Sequence, residues 1–453
     1  MQTMASTLIS SSRRKVVVGL GATGLSVARF LNRRGDEFSI VDTRLEPPCL
    51  ETLERELPNV PVFLGNQGAE VLASAGELIV SPGLSPEDPI LAEAIAQGAS
   101  VRGDIDLFME VARAPVVGIT GSNAKSTVTA MFGAMARQAG LEVAVGGNLG
   151  TPALELIDED VELYVLELSS FQLERAGNLN LDVATVLNVT PDHLDRHGNM
   201  QRYHQAKHRI FAGCRCAVFN AADPLTIPPL ARDRQQIGWT LGEPDLKGFG
   251  VREEDGQRML VRGFDKLMPV SDLSLPGEHN VANALACLAL GEARSLPMDA
   301  MLTVLKSFPG LPHRAEVVAA RDNVRWINDS KATNVGATLA AIQGLGKDSR
   351  LILLAGGRDK NSDFSELAGA ISAHCDFAVY FGEAGDKLYA ALADACDAQR
   401  VETLAEAAAL AAERAEAGHI VLLSPACASF DQFASYEARG AAFAALAREW
   451  EAA

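Results

Sequence analysis

Two glycine-rich turns carry the first chemistry legible in these 453 residues. Gly19-Leu20-Gly21-Ala22-Thr23-Gly24 follows a β-branched run, and Asp42 ends the next such run. Glycines so placed let a diphosphate approach a helix N-terminus while an acid holds a ribose; a tight turn with no ligand has the same pattern. Arg44, two residues on, would favour an additional phosphate. The second turn, Gly118-Ile119-Thr120-Gly121-Ser122-Asn123-Ala124-Lys125-Ser126-Thr127, resembles a P-loop. Its N–H groups would cradle phosphates, Lys125 would neutralise charge between the β- and γ-phosphates, and Ser126 would offer its hydroxyl to Mg²⁺. The alternative is a glycine-rich turn with a surface lysine. Ala124 stands where a glycine usually precedes the P-loop lysine. If its φ is negative, glycine there would cost roughly 0.5–1 kcal/mol of stability.

Glu167 stands at the C-terminal end of the otherwise apolar strand read in 163–170, where a carboxylate needs a partner or a metal, and after a P-loop it is a natural Mg²⁺ ligand. Residues 188–211 hold four of the eight histidines. His193/His197 and His204/His208 are spaced i,i+4, but Gly198 and Asn199 break the first helix and no cysteine assists, so zinc is not expected. His193, in a strand-end loop, is the expected functional histidine, with the others at the surface. Lys207 reads as a solvated lysine on a helix. Three further polar clusters follow strands: 328–334, Gly356 to Lys360, and 424–433. They should line one edge of one sheet. Cys427 has no adjacent base and reads as a packed small residue.

The elements that position these groups alternate. Short β-branched runs at 16–21, 38–43, 77–83, 115–121, 163–170, 183–189, 351–357, 377–382 and 419–426 are separated by Ala/Leu-rich helical stretches. That is the pattern of doubly wound α/β sheets, whose ligands sit at the carboxyl ends of strands. Breaks near 103–114 and at the Pro/Gly joint 308–314 divide the chain into three domains, 1–103, 104–310 and 311–453. Residues 232–276 read as a small β insertion, and 405–417 as an outer-layer helix.

Composition bounds the partners. Apolar residues make up 48% and the formal charge is −18, which argues against nucleic acid or an anionic membrane and still allows anionic small ligands in a basic pocket. The seven scattered cysteines form no Cys-x-x-Cys pair, so a reducing cytoplasm is expected. The N-terminal stretch has its basic residues after its weakly apolar ones, the reverse of a signal peptide, and no run is long enough to span a bilayer.

The ordered series GITGSNAKST, LELSSFQLE, NVTPDHLDRH, AKHRIF, GEHNVANALA, LPHR, NDSKATN, GGRDK and SPACASFDQF resembles the Mur ligases of peptidoglycan synthesis, in particular their D-glutamate-adding members. The likeness runs from Gly19 to about Arg439. It implies three Rossmann-like domains with a P-loop ATPase in the centre. By this resemblance Thr23, Asp42, Thr43, Arg44 and Gly83 hold a UDP moiety, and Asn148 and Gln172 touch a muramoyl-alanine arm. Gly121, Ser122, Asn123, Ala124, Lys125, Ser126 and Thr127 hold ATP phosphates, with Asn280, Asn283, Arg314, Asp329 and Lys331 also serving ATP. Ser126 and Glu167 hold one Mg²⁺; His193 and a carbamylated Lys207 serve a second. Thr333, Lys360, Ser429 and Tyr436 place D-glutamate, Tyr436 standing where phenylalanine is common. Lys125, His193, Lys207 and Lys360 are the catalytic set. The expected substrates are ATP, UDP-N-acetylmuramoyl-L-alanine and D-glutamate, handled by a monomer. The DNPR-type motif of the diaminopimelate- and lysine-adding relatives is absent. The weighed alternatives are a Mur-type ligase for another amino acid, a folylpolyglutamate-type ligase, a nicotinamide-dependent dehydrogenase on the first glycine turn, and a ligase-derived nucleotide-binding protein.

Overall fold

Three mostly parallel sheets, each covered by helices, make up the molecule. The computed structural model describes residues 14–452 except 86, 230–233, 348 and 361; the stretch read above for a leader lies outside them. In the first domain β1 (Lys15–Val18), β2 (Phe38–Asp42), β3 (Val62–Leu64), β4 (Glu77–Val80) and β5 (Ser100–Arg102) pair in the order β3-β2-β1-β4-β5, all parallel. The order reverses between β1 and β4, so the loops after Val18 and Val80 open a crevice.

The central sheet contains β6 (Val116–Thr120), β7 (Val143–Gly147), β8 (Leu163–Glu167), β9 (Val183–Val186) and β10 (Cys216–Asn220), then β11 (Gln235–Trp239), β12 (Phe249–Glu254), β13 (Gln257–Arg262) and β14 (Asp265–Pro269). Their order is β14-β13-β12-β11-β10-β9-β6-β8-β7. The residues expected as a separate β insertion therefore extend this sheet. β11 pairs parallel with β10, and β12 to β14 form an antiparallel meander at the edge. The alternating local pattern reveals the meander but not the strand on which it docks.

The third sheet takes β15 (Glu316–Arg321), β16 (Val324–Asn328), β17 (Arg350–Gly356), β18 (Cys375–Phe381), β19 (Asp397–Arg400) and β20 (His419–Ala426) in the order β15-β16-β20-β17-β18-β19. Adjacent β16, β20 and β17 are parallel, so the three polar clusters after them share one edge, as expected. The expected outer helix is Leu404–Arg414.

Burial explains why the strands read as unbroken apolar runs. β2, β6 and β8 are buried at every position, as strands covered on both faces must be. One apolar cluster runs from Val17, Phe30 and Ile40 in the first domain through Phe108 to Tyr164 and Phe211 in the second, joining the two. No helix among the described residues is long and apolar enough to cross a membrane.

Candidate active site

The first glycine turn opens a cavity between the first and central domains. Helix Ala22–Arg34 starts at Gly21 without a side-chain cap and without an acid in its first turn, so its N–H groups stay available to an anion. Gly24 is required by packing: a Cβ there would lie 1.9 Å from the Gly19 carbonyl oxygen. The cavity measures about 530 Å³, and Thr23, Asp42, Thr43, Arg44, Gly83, Asn148 and Gln172 all line it. Asp42, in that lining, is paired with Arg44. Its Oδ2 accepts from the Leu20 N–H (2.7 Å) and the Arg44 Nη2 (2.6 Å), and its Oδ1 from the Arg44 N–H and Nε (2.9 Å each). Burial pushes this carboxyl up, yet the Arg44 guanidinium and these N–H groups hold it below its ordinary value. These bonds hold the Arg44 guanidinium at the edge of the cavity.

The second glycine turn lies after β6. Helix Lys125–Gln138 likewise lacks a side-chain cap and acids in its first turn. Asn123 donates its N–H to Asn188 Oδ1 (2.8 Å), and the Ser122 hydroxyl donates to the Thr190 carbonyl (2.9 Å), which pins the loop to the segment after β9. Lys125 Nζ folds back onto the carbonyls of Gly121 (2.8 Å) and Ser122 (2.9 Å). Thr127 is buried in the first turn of the helix. Arg314, in the joint between the second and third domains, donates to Ser126 Oγ at 2.7 Å.

Ala124 has φ +66°, in the left-handed region. The premise of a negative φ is thereby overturned, and with it the expected cost of glycine. An L-residue there pays about 1–2 kcal/mol for the close approach of its Cβ and carbonyl. Ala124→Gly should therefore stabilise the fold by up to about 1 kcal/mol, read from the denaturation midpoint, with turnover retained. A lowered midpoint would show that the Ala124 methyl packs favourably.

Glu167 ends β8 beside the P-loop, paired in register with Ile119. Its Oε1 accepts from Asn148 Nδ2 at 2.6 Å; its Oε2 is buried with no hydrogen-bond partner. Such an oxygen fits a cation. Among the described residues no group of three or more His, Cys, Asp or Glu is placed to hold a metal.

Lys207 and His193 complete the central wall. Lys207 is 1% exposed, not solvated as its helix alone suggests. Helix Met200–His208 turns its Tyr203/Lys207 face inward, and Lys207 Nζ donates to the Gly121 carbonyl at 2.7 Å over the Tyr203 ring. Burial, with Lys125 adding to it, pushes this amine well below its ordinary value. His193 is pushed down to about 4, chiefly by burial, so its ring is neutral. His197, expected at the surface, is buried and shares a hydrogen bond with Ser170 Oγ at 3.0 Å. The helix of Leu194–His197 is too short to show an inward face in sequence.

The third domain meets this wall through Asp192, a residue the sequence analysis did not single out although it adjoins His193. Its carboxylate accepts from Asn334 Nδ2 (3.1 Å), Lys360 Nζ (3.5 Å) and the His193 N–H (2.9 Å). Asn334 also reaches Asn123 Oδ1 at 3.2 Å. Asp329 is half-buried and pushed up to about 7, chiefly by desolvation of its carboxyl; it accepts from Ser424 Oγ and from the Ala315 N–H next to Arg314. Lys331 lies 3.8 Å from the centroid of the Tyr436 ring and is pushed down to about 8, chiefly by burial. Tyr436 thus packs with Lys331 on the Arg314 side. Thr333 donates its N–H to the Lys331 carbonyl, and the buried Ser429 opens the turn that follows β20. Asn280 and Asn283 are joined at 3.1 Å at the start of helix Glu278–Ala293. Cys427 is buried, as expected of a packing residue.

Three family matches tile the chain: a Mur ligase MurD-like N-terminal domain over residues 13–103, a Mur ligase middle domain over 119–291, and a Mur ligase glutamate ligase domain over 313–427. The chain belongs to the Mur ligase family. It is 54% identical over 444 residues to a UDP-N-acetylmuramoylalanine–D-glutamate ligase of Pseudomonas aeruginosa, covering 98% of this chain and 99% of that protein. The corresponding ligase of Pseudomonas syringae pv. tomato is 53% identical, covering 96% of this chain and 98% of that one. The fold also matches the MurF ligase of Thermotoga maritima in complex with ADP, with a TM-score of 0.59 at 18% identity over 97% of each chain. In this Mur ligase the polar residues that sequence reasoning missed, Asp192, Asn188, Asn334 and Arg439, act across elements. Arg439 is fully buried and its guanidinium bonds to Ser330, Gly356 and Cys427, tying together the loops after β16, β17 and β20.

Proposed function

We propose that the protein joins D-glutamate to UDP-N-acetylmuramoyl-L-alanine at the expense of ATP, in the cytoplasmic synthesis of peptidoglycan precursors. One observation carries the reading: the cavity that starts at the first glycine turn ends at Asn148, and Asn148 is bonded to Glu167 beside the P-loop. A ligand anchored by a diphosphate at one end would present its other end where a phosphoryl group is transferred. The names of the Pseudomonas relatives agree with this substrate.

A carboxylate and an amine do not condense in water, so the carboxylate is activated first. The L-alanyl carboxylate attacks the γ-phosphorus of ATP and ADP leaves, giving an acyl phosphate. The D-glutamate amine attacks the acyl carbon, and phosphate leaves from the tetrahedral intermediate. Every species is anionic, which accounts for Lys125, Arg314, Lys331 and Lys360 converging in a protein of net charge −18. Lys125 and the P-loop N–H groups grip the phosphates; Asn280, Asn283, Asp329 and Lys331 hold the rest of the nucleotide. Thr333, Lys360, Ser429 and Tyr436 orient the amino acid. Residues 1–103, 104–310 and 311–453 are the UDP, ATP and amino-acid units. Ser126, Glu167, His193 and a carbamylated Lys207 would hold two Mg²⁺ ions, which supply charge neutralisation on the phosphates.

Phosphate release from ATP should require both UDP-N-acetylmuramoyl-L-alanine and D-glutamate. Equal turnover with L-glutamate or meso-diaminopimelate in an amino-acid panel would overturn the substrate assignment.

A further inference from the structure

Two arginines of the central domain grip one loop of the first domain. Arg175 Nη1 donates to the Ser81 carbonyl at 2.8 Å, and its Nη2 to the Leu84 carbonyl. Arg196 donates to the carbonyls of Gly83 (3.2 Å), Pro82 (3.4 Å) and Leu84 (2.5 Å). Every carbonyl of residues 81–84 is therefore held from across the domain boundary. Guanidinium is suited to this because its planar fork reaches two acceptors at once, which an ammonium does not.

The grip is transmitted to both walls of the cavity. On one side Ser81 Oγ donates to the Gly19 carbonyl at 3.0 Å, and Gly19 and Gly24 are packed so tightly that the glycine turn must follow this loop. On the other side Arg175 lies just beyond the short helix Ser170–Leu173, which brings Phe171 and Gln172 to the cavity. Arg196 covers the Phe171 ring at 4.9 Å and is bonded to Glu174 at 3.1 Å. Neither arginine lines the cavity itself. The apolar cluster joining the two domains fixes their general docking; the pair sets the spacing at the ligand end.

We infer that Arg175 and Arg196 are positioning residues that set the width of the UDP-substrate cavity by clamping the 81–84 loop. The inference rests on the proposed reading of that cavity. A wall misplaced by a fraction of an ångström forfeits the preorganisation on which binding depends.

The test is calorimetric titration of UDP and, separately, ADP into the full chain and into Arg175→Gln, Arg196→Gln and Arg175→Lys. UDP affinity should fall about tenfold in each variant, while ADP affinity stays within about twofold, because the clamped loop lines the UDP cavity and not the P-loop. In turnover the KM for the UDP substrate should rise with kcat and the KM for ATP little changed. Arg175→Lys distinguishes a clamp from simple attraction of an anion, since it keeps the charge and loses the fork. Wild-type UDP affinity in Arg175→Lys, or equal losses of UDP and ADP affinity in the glutamine variants, would overturn the clamp alone. Failure of the unaltered protein to bind UDP, with ADP binding intact, would overturn the reading of the cavity and the clamp with it.

Discussion

Replacing Lys125 with alanine should lower kcat at least ~10²-fold, since losing a charged group that stabilises a transferring phosphoryl group costs about 2.7 kcal/mol or more in the barrier. Lys125 Nζ lies against the carbonyls of Gly121 and Ser122, inside the curve where the P-loop N–H groups converge. Burial holds its amine below the ordinary lysine value, and the negative charge of Glu167 and Asp192 only partly offsets this. The anionic phosphates of ATP would favour its charged form and compete with the two carbonyls for it. The lysine is half-buried and satisfies two carbonyls, so some loss of stability accompanies the change. Comparing kcat with the thermal transition separates the two effects. Near-wild-type turnover in a cooperatively folded variant would overturn the assignment of this loop.

What sequence could and could not reveal follows from the range over which each residue acts. Strands such as β6 and β8 announce themselves because burial on both faces keeps them apolar up to their last residues, Thr120 and Glu167. The P-loop and Glu167 are legible because a loop and a strand-end carboxylate keep their chemistry within a few residues. Asp42 was legible as a strand-end acid, but its pairing with Arg44 was not, because that contact depends on how the two side chains turn in the folded chain. Ala124 hid a left-handed backbone, which alanine advertises far less than glycine does. The cross-domain bonds of Asp192, Asn334 and Arg175 were silent because those partners are 91 or more residues away. The meander of β12 to β14 was visible only as part of a small β insertion; its ladder to β11 is the single pairing of Trp239 with Phe249.

Lys207→Ala should likewise lose most of the activity, by ~10²-fold if the side chain supplies metal-ligating oxygens. An ammonium cannot ligate Mg²⁺, because it is a cation without a lone pair. A neutral amine, however, adds its nitrogen to the carbon of CO₂ and releases one proton, leaving a carbamate with two hard anionic oxygens. Lys207 meets the conditions for that reaction. It is 1% exposed, its amine is held well below its ordinary value by burial and by Lys125, and it shares the Gly121 carbonyl with Lys125. Two ammonium groups on one carbonyl repel each other, whereas a carbamate beside Lys125 attracts it. The buried Oε2 of Glu167 has no hydrogen-bond partner and would be available to the same Mg²⁺. A purely structural lysine would also be missed on removal, so rescue carries the test. Acetate or formate added to Lys207→Ala should restore part of the rate by returning two oxygens, and Lys207→Arg, which keeps the charge but cannot be carbamylated, should stay impaired. Full activity of Lys207→Ala, or of Lys207→Arg, would show that the amine serves only to hold the Gly121 carbonyl.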